Sequence, residues 1–344
     1  MIPLGPESIV YILAPANSVS GGQEALHQLA FYLGKKGCTT RIAYYYQGRR
    51  PQNPVSDRYR QYGTAWCCYE DVVDEPQHLL ICPEIAPWLL ARFRKIRKAI
   101  WWLSVGFFAA TERNISFRTI ASLTLSGRLR DAQRRLARRV ALAAVMRDRL
   151  VHFAGSHYAQ DYVRRRFGLT AHLLIEPLGL DFINSVAKDG AVSLDSRMRD
   201  SVVLYNPAKG NRLMQQLMLR HPEHVYVPLR GYSSDQLITL MRKSRLYVDF
   251  GKFPGPERLP KEAVACGCCV LTARDGAAAF YQDVRVPEEF KIRGTDVGVI
   301  NEKLTELLEH YDAHIAKYED YRQMVAGLET QFNSQLDGLF HLQA

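Results

Sequence analysis

Apolar and polar positions come in short alternating blocks along the first half of the chain. Residues 8–14 (SIVYILA) are an almost unbroken apolar run, and 17–22 are polar and glycine-bearing. From residue 23 the apolar positions Leu26, Leu29, Ala30 and Leu33 recur at helical spacing until Gly37. That order reads as strand, loop, helix. The β-branched and aromatic run 39–46 predicts a second strand, and 78–82, 100–104, 150–154 and 173–176 predict further short strands with helical stretches between them. Short buried strands alternating with helices imply a parallel sheet covered on both faces.

The same pattern restarts in the second half. Residues 201–205, 225–227, 246–250 and 269–272 read as strands, and 211–220, 233–243 and 260–266 as the helices between them. Residues 181–200 are polar and lack a long apolar run, which predicts an interdomain hinge. The expected organisation is an N-terminal Rossmann-like domain over 1–180, the hinge over 181–200, a C-terminal Rossmann-like domain over 201–295, and closing helices over 296–344. In the last of these Phe332, Leu336, Leu339 and Phe340 form an apolar stripe that packs back across the domains. The predicted fold class is α/β, with two doubly wound domains facing a cleft, and ligands are expected beyond the carboxyl ends of the strands.

Composition narrows the picture. A chain of 344 residues with 47% hydrophobic and 23% charged positions fits two globular domains and excludes extensive disorder. The most apolar stretch, 99–110, is too short to span a bilayer. The first residues lack a basic segment, so no signal peptide is expected. Seven cysteines without a CxxC pair predict free buried thiols in a reducing cytoplasm and no zinc site. Net charge is +10, divided as 25 Lys/Arg against 12 Asp/Glu over 1–170 (+13) and 20 against 23 over 171–344 (−3). The two halves are therefore expected to meet different partners.

Three loops carry candidate chemistry. Gly21 and Gly22 open the first helix, where a close backbone approach and a helix N-terminus suit a phosphate or a sugar. Neither GxGxxG nor GxxxxGK[ST] is present, and a plain tight turn is the alternative. Asn206, Lys209 and Gly210 follow the strand at 201–205, and an ammonium beside backbone amides there can meet a diphosphate. The densest cluster is DFGKFPGPERLPKEA over 249–263, where Gly255, Glu257, Arg258, Lys261 and Glu262 straddle a helix start. A carboxylate there can accept from a ribose diol and a cation can neutralise phosphate, against the alternative that the glutamates complement the helix dipole. Tyr232 is placed to stack on a base, or else is half-buried packing.

Residues 128–149 hold eight arginines against two aspartates, with Leu129, Ala132, Leu136, Val140 and Ala143 at helical spacing. Arg134, Arg135, Arg138 and Arg139 are the candidate contacts to an anionic membrane surface, and a solvated face is the alternative. Nucleic acid is not expected, because no recognition motif accompanies the charge.

Taken together these motifs resemble the GT-B glycosyltransferases of the group near family 4, over nearly the whole chain. The resemblance rests on the segment from Gly21 to Ala30, the Lys209–Gly210 pair, and the run Glu262-Ala263-Val264-Ala265-Cys266-Gly267 continuing to Val270 and Leu271. It implies Glu262 at the donor ribose, Lys209 at the diphosphate, and Gly21–Gly22 beside the transferred sugar. Two departures stand out. The family's EX7E spacing would put its first glutamate at Pro254, so Glu257 takes that role or it is lost. The family's arginine just before Lys-Gly is missing, and Arg212 or Arg258 supplies its charge.

The resemblance implies a hexosyltransferase-like enzyme, retaining and independent of metal, with Lys209, Arg258 and Glu257 as catalytic residues and no cofactor. The donor is expected to be a nucleotide sugar, a UDP-sugar first, and the acceptor a glycan or a lipid-linked glycan of bacterial surface polysaccharide assembly, such as capsule or lipopolysaccharide. A cytoplasmic protein peripheral on the inner face of the membrane follows. The competing class is a non-catalytic nucleotide-binding or membrane-adaptor protein on the same fold.

Overall fold

Two large sheets, both wholly parallel, organise the chain in the computed structural model, which describes residues 1–188, 190 and 192–342. The chain divides into unit 1, Met1–Pro177 with Thr330–Ala344, and unit 2, Leu178–Glu329.

Unit 1 runs β1 (Ile2–Leu4), β2 (Ile9–Pro15), α1 (Gly21–Lys35), β3 (Thr39–Tyr45), β4 (Trp66–Cys68), β5 (Leu79–Pro83), β6 (Arg97–Trp102), α2 (Val105–Asn114), α3 (Phe117–Leu125), α4 (Leu129–Val145), β7 (Val151–Ala154), α5 (His157–Phe167) and β8 (His172–Leu173). Its seven-stranded sheet has the order β4-β3-β2-β5-β6-β7-β8. β2 and β5 are buried along nearly their whole length, as strands covered on both faces must be. One face packs a core that includes Leu26, Leu29, Leu33 and Trp101, and the other a core that includes Tyr11, Leu80, Trp102 and Phe108. The two tryptophans of β6 thus serve opposite cores, and neither is exposed.

Unit 2 runs α6 (Leu180–Lys188), β9 (Asp200–Tyr205), α7 (Asn211–Arg220), β10 (Val225–Pro228), α8 (Ser234–Lys243), β11 (Ser244–Asp249), α9 (Arg258–Ala265), β12 (Cys269–Ala273), β13 (Lys291–Ile292), α10 (Val297–Glu309), α11 (Tyr311–Ile315) and α12 (Glu319–Ala326). The sheet order is β10-β9-β11-β12-β13. Arg199, 4% exposed, binds the carbonyls of Ser193, Met241, Ser244 and Cys266 and so ties the entry to β9 to the ends of α8 and α9. Gly267 has φ +84°, and a Cβ there would overlap the Arg199 guanidinium.

The segment 181–200 is more ordered than its polar composition predicts. It holds α6, whose Phe182 is buried, and a 3-10 turn at Ser196–Met198; residues 189 and 191 of the expected hinge lie outside the described residues. The strand expected over 173–176 is confined to β8, and the chain is irregular from there to Glu176. α13 (Leu328–Leu339) and β14 (Phe340–Leu342) close the chain. In unit 1, Phe332 packs against Tyr32 and Trp101, and β14 pairs in parallel with β1. The stripe read as one helix is therefore divided: Phe332, Leu336 and Leu339 are helical, and Phe340 begins a strand. No helix of the described residues is long and apolar enough to cross a membrane.

Candidate functional site

In each large sheet the strand order reverses beside one strand, and there two consecutive crossovers leave on opposite faces and open a crevice at the carboxyl ends. In unit 2 the reversal lies between β9 and β11. The loop after β9 carries Asn206, Lys209 and Gly210, and the loop after β11 carries residues 250–257, so topology alone brings the two stretches together.

The contacts are specific. Lys209 Nζ lies 2.6 Å from Glu257 Oε2, with both side chains about three-quarters buried, and 5.4 Å from the centre of the Phe253 ring. Gly210 has φ +63° and abuts Phe250. A Cβ on Gly251 would come within 2.7 Å of Lys209 Cβ, so only glycine lets the lysine stem pass. Asn206 Oδ1 accepts from Ala208 N at 3.0 Å, which tightens the turn that presents Lys209. Gly276 has φ +54°, and a Cβ there would overlap the Phe253 carbonyl, which accepts from Ala277 N at 2.8 Å. The 251–257 loop is thereby held from both sides.

Asp249, which sequence reasoning passed over, sits beneath this cluster. It is buried and accepts from Tyr247 Oη at 3.1 Å and Gly251 N at 3.0 Å. Burial raises its pKa, opposed by the Lys209 charge and the two hydrogen bonds. Glu257 has φ +41°, one of two non-glycine residues in the left-handed half of backbone space among those described. A strained position directly before α9 aims its carboxylate at Lys209.

Arg258 opens α9, Lys261 is buried in its first turn, and Glu262 is half-buried one position on. Gly255 is buried within the loop. Tyr232 is exposed in the loop before α8. The cluster thus joins Lys209, Gly210, Glu257 and the start of α9, and exposed Tyr232 is not part of it.

Unit 1 has its own reversal, between β2 and β5. Gly21 and Gly22 begin α1 just beyond β2, where Ser20 Oγ caps Gln23 N at 3.2 Å. A Cβ on Gly22 would meet Leu103 at an ordinary 3.7 Å, so packing does not require that glycine. Beyond β5 stands Glu84, 2% exposed, accepting from Leu103 N at 2.9 Å and Ser104 N at 3.0 Å. Burial pushes its pKa up to about 7; the amides oppose this and the Glu176 carboxylate adds to it. Glu176 Oε2 is buried without a hydrogen-bond partner, 3.3 Å from where a Cβ on Gly155 would stand. Glu84 and Glu176 were missed because each is a single acid after a strand, with no motif around it.

The arginines of α4 divide into two groups. Arg135 donates to the Asn114 carbonyl at 2.6 Å and Arg139 lies 3.9 Å over the Phe117 ring, so both are turned back onto unit 1. Arg134 and Arg138 are exposed, the latter 5.0 Å from the Trp88 ring.

No family model and no curated protein matches the sequence. Solved structures do match it over nearly the full length. Sucrose-phosphate synthase from Thermosynechococcus elongatus superposes with a TM-score of 0.62 at 13% identity, over 97% of this chain and 98% of that one. WaaG, a glycosyltransferase involved in lipopolysaccharide biosynthesis, gives 0.56 at 12% identity, over 96% and 100%. The catalytic domain of starch synthase IV from Arabidopsis thaliana, bound to ADP and acarbose, gives 0.52 at 12% identity, over 96% and 99%. At this identity the likeness establishes the fold: the chain has the GT-B architecture of two doubly wound α/β units.

Proposed function

We propose that this chain is a glycosyltransferase that takes its sugar from a nucleotide sugar, with unit 2 holding the donor. The observation that carries the reading is the meeting of Lys209 with the start of α9 at the strand-order reversal of unit 2. A diphosphate carries more negative charge than one carboxylate. It takes Lys209 from Glu257, with the amides after Gly210 and the Arg258 guanidinium completing its shell. Glu262, on α9, is the ribose contact implied by the family resemblance.

In the transfer, the bond between the anomeric carbon and the phosphate oxygen breaks and its electron pair leaves with the nucleoside diphosphate. The acceptor oxygen bonds to that carbon on the same face, and its proton passes to the departing phosphate oxygen. Lys209 and Arg258 balance the developing charge, so the reaction asks for no metal. The acceptor, a glycan or lipid-linked glycan, belongs to the basic unit 1 beside Gly21 and Gly22, and an anionic membrane is the surface on which it is met.

A second reading, a nucleotide-binding protein without turnover, is favoured by one observation: Pro254 stands where the family's first glutamate belongs. A thermal-shift series with UDP, GDP, dTDP and CMP, followed by a transfer and hydrolysis assay with the sugar form of whichever nucleotide stabilises, separates the two. Stabilisation with turnover supports the transferase. Stabilisation without turnover supports the binding protein, and no stabilisation by any of them removes both.

A further inference from the structure

Residues 1–170 carry 25 Lys/Arg against 12 Asp/Glu, yet the floor of the unit 1 crevice is acidic. Glu84 follows β5, Leu103 and Ser104 follow β6, Gly155 follows β7, and Glu176 lies past β8, so the carboxyl ends of four neighbouring strands converge on it. Leu103 links the two glutamates. Its N–H donates to Glu84 at 2.9 Å. Its side chain and Glu176 Oε2 stand 3.4 and 3.3 Å from where a Cβ on Gly155 would be. A methyl group there would press on both, so Gly155 keeps room for the Glu176 carboxylate. The floor is short of donors. Glu84 takes one amide, from Leu103 and from Ser104, on each carboxylate oxygen. Glu176 Oε2 and Ser104 Oγ are buried with no hydrogen-bond partner, a costly condition for a polar atom. The charge that Glu84 meets is that of Glu176, and no lysine or arginine among the described residues offsets it.

Leu103, Ser104 and Glu176 are only half-buried, so this floor is open to a ligand on one side. It is not a metal cage: among the described residues no group of three His, Cys, Asp or Glu side chains could hold a metal ion. What the floor lacks is hydrogen-bond donors, and what it repels is negative charge. We propose that Glu84, Ser104 and Glu176 select the sugar that receives the transferred group: an uncharged ring whose hydroxyls donate to the two carboxylates. This rests on the transferase reading for the reason a sugar enters unit 1, and it adds the charge class of that sugar. A phosphate of a lipid-linked acceptor would have to lie off this floor, among the cations of the surrounding surface. A site built to read hydroxyls discriminates strongly, because its buried polar groups stay unpaired against the wrong ligand.

The test is saturation-transfer NMR on the full chain, with and without UDP, using methyl glucoside, methyl galactoside and methyl mannoside against methyl glucuronide and methyl galacturonide. At least one neutral glycoside is expected to bind about tenfold or more tighter than either uronide. Glu176→Gln keeps the shape and removes one charge. It should weaken the neutral glycoside and admit the uronides, closing the gap to about threefold or less. A purely structural Glu176 would move the melting temperature and leave that ratio unchanged. Gly155→Ala crowds Glu176 Oε2 without altering charge, so it should weaken the neutral glycoside without admitting the uronides; it decides the matter if Glu176→Gln does not fold. The proposal is overturned if no neutral glycoside binds, if the uronides bind as tightly, or if the wild-type ratio survives in both variants. A UDP titration of the same samples reports separately on unit 2. Glycosides bound without UDP binding overturn the transferase reading alone, and UDP bound without glycoside binding overturns this proposal alone.

Discussion

Lys209 Nζ and Glu257 Oε2 stand 2.6 Å apart, each on a loop that leaves its strand at the same reversal point of the unit 2 sheet. Lys209 is therefore held in place by a carboxylate as well as by its own turn, and the partner that orients it also competes for its charge.

Opposite effects are expected from the two halves of that pair. Lys209→Ala should weaken UDP binding about tenfold to a hundredfold, the range of a charge-assisted hydrogen bond. Glu257→Gln, which leaves Lys209 uncontested, should tighten it about threefold or more, with transfer slowed. Isothermal titration of both variants with UDP checks this; equal weakening in both would assign Glu257 to donor binding alone.

Gly251→Ala places a Cβ 2.7 Å from Lys209 Cβ and 3.1 Å from Asp249 Oδ1. The lysine stem has to swing away, so UDP affinity should fall as far as in Lys209→Ala. Overpacking of this kind costs about 1–3 kcal/mol. Calorimetric unfolding alongside the titration separates lost binding from lost fold.

Glu84 makes stability depend on pH with a definite sign. Its folded pKa, about 7, lies above its ordinary 4.5, so the folded chain holds an extra proton between those values. The stabilisation is complete below the lower value and is lost as pH rises through the upper one, a fall of about 3 kcal/mol from this group. Glu84→Gln should flatten that part of the curve. Chemical denaturation of both proteins between about pH 5 and pH 8 measures it, and identical slopes would show that the carboxyl ionises freely.

Arg199→Met should destabilise unit 2 by about 3–5 kcal/mol, because four carbonyls lose a buried charged donor together. Unfolding followed by a probe in unit 2 is expected to shift well below that followed in unit 1.

The architecture was legible in the sequence because period and composition agree at β2, β3, β9 and β11, whose runs are short, apolar and bounded by turn residues. β4, β13 and β14 were not, since two or three residues that pair at a sheet edge carry no periodic signal. Lys209 and Glu257 stood out by their neighbours, glycine and proline. Asp249, Glu84 and Glu176 did not, because burial gives an isolated acid its meaning and only the fold supplies burial.

The pairing of β14 with β1, and of Phe332 with Tyr32 and Trp101, has a consequence for biosynthesis. During synthesis on the ribosome, residues 178–329 emerge before the strand and helix that complete unit 1. Unit 2 has all its parts first, and the earlier-made half must wait, with an open hydrophobic seam, for residues 330–342. A nascent chain stalled before residue 330 would offer that seam to chaperones.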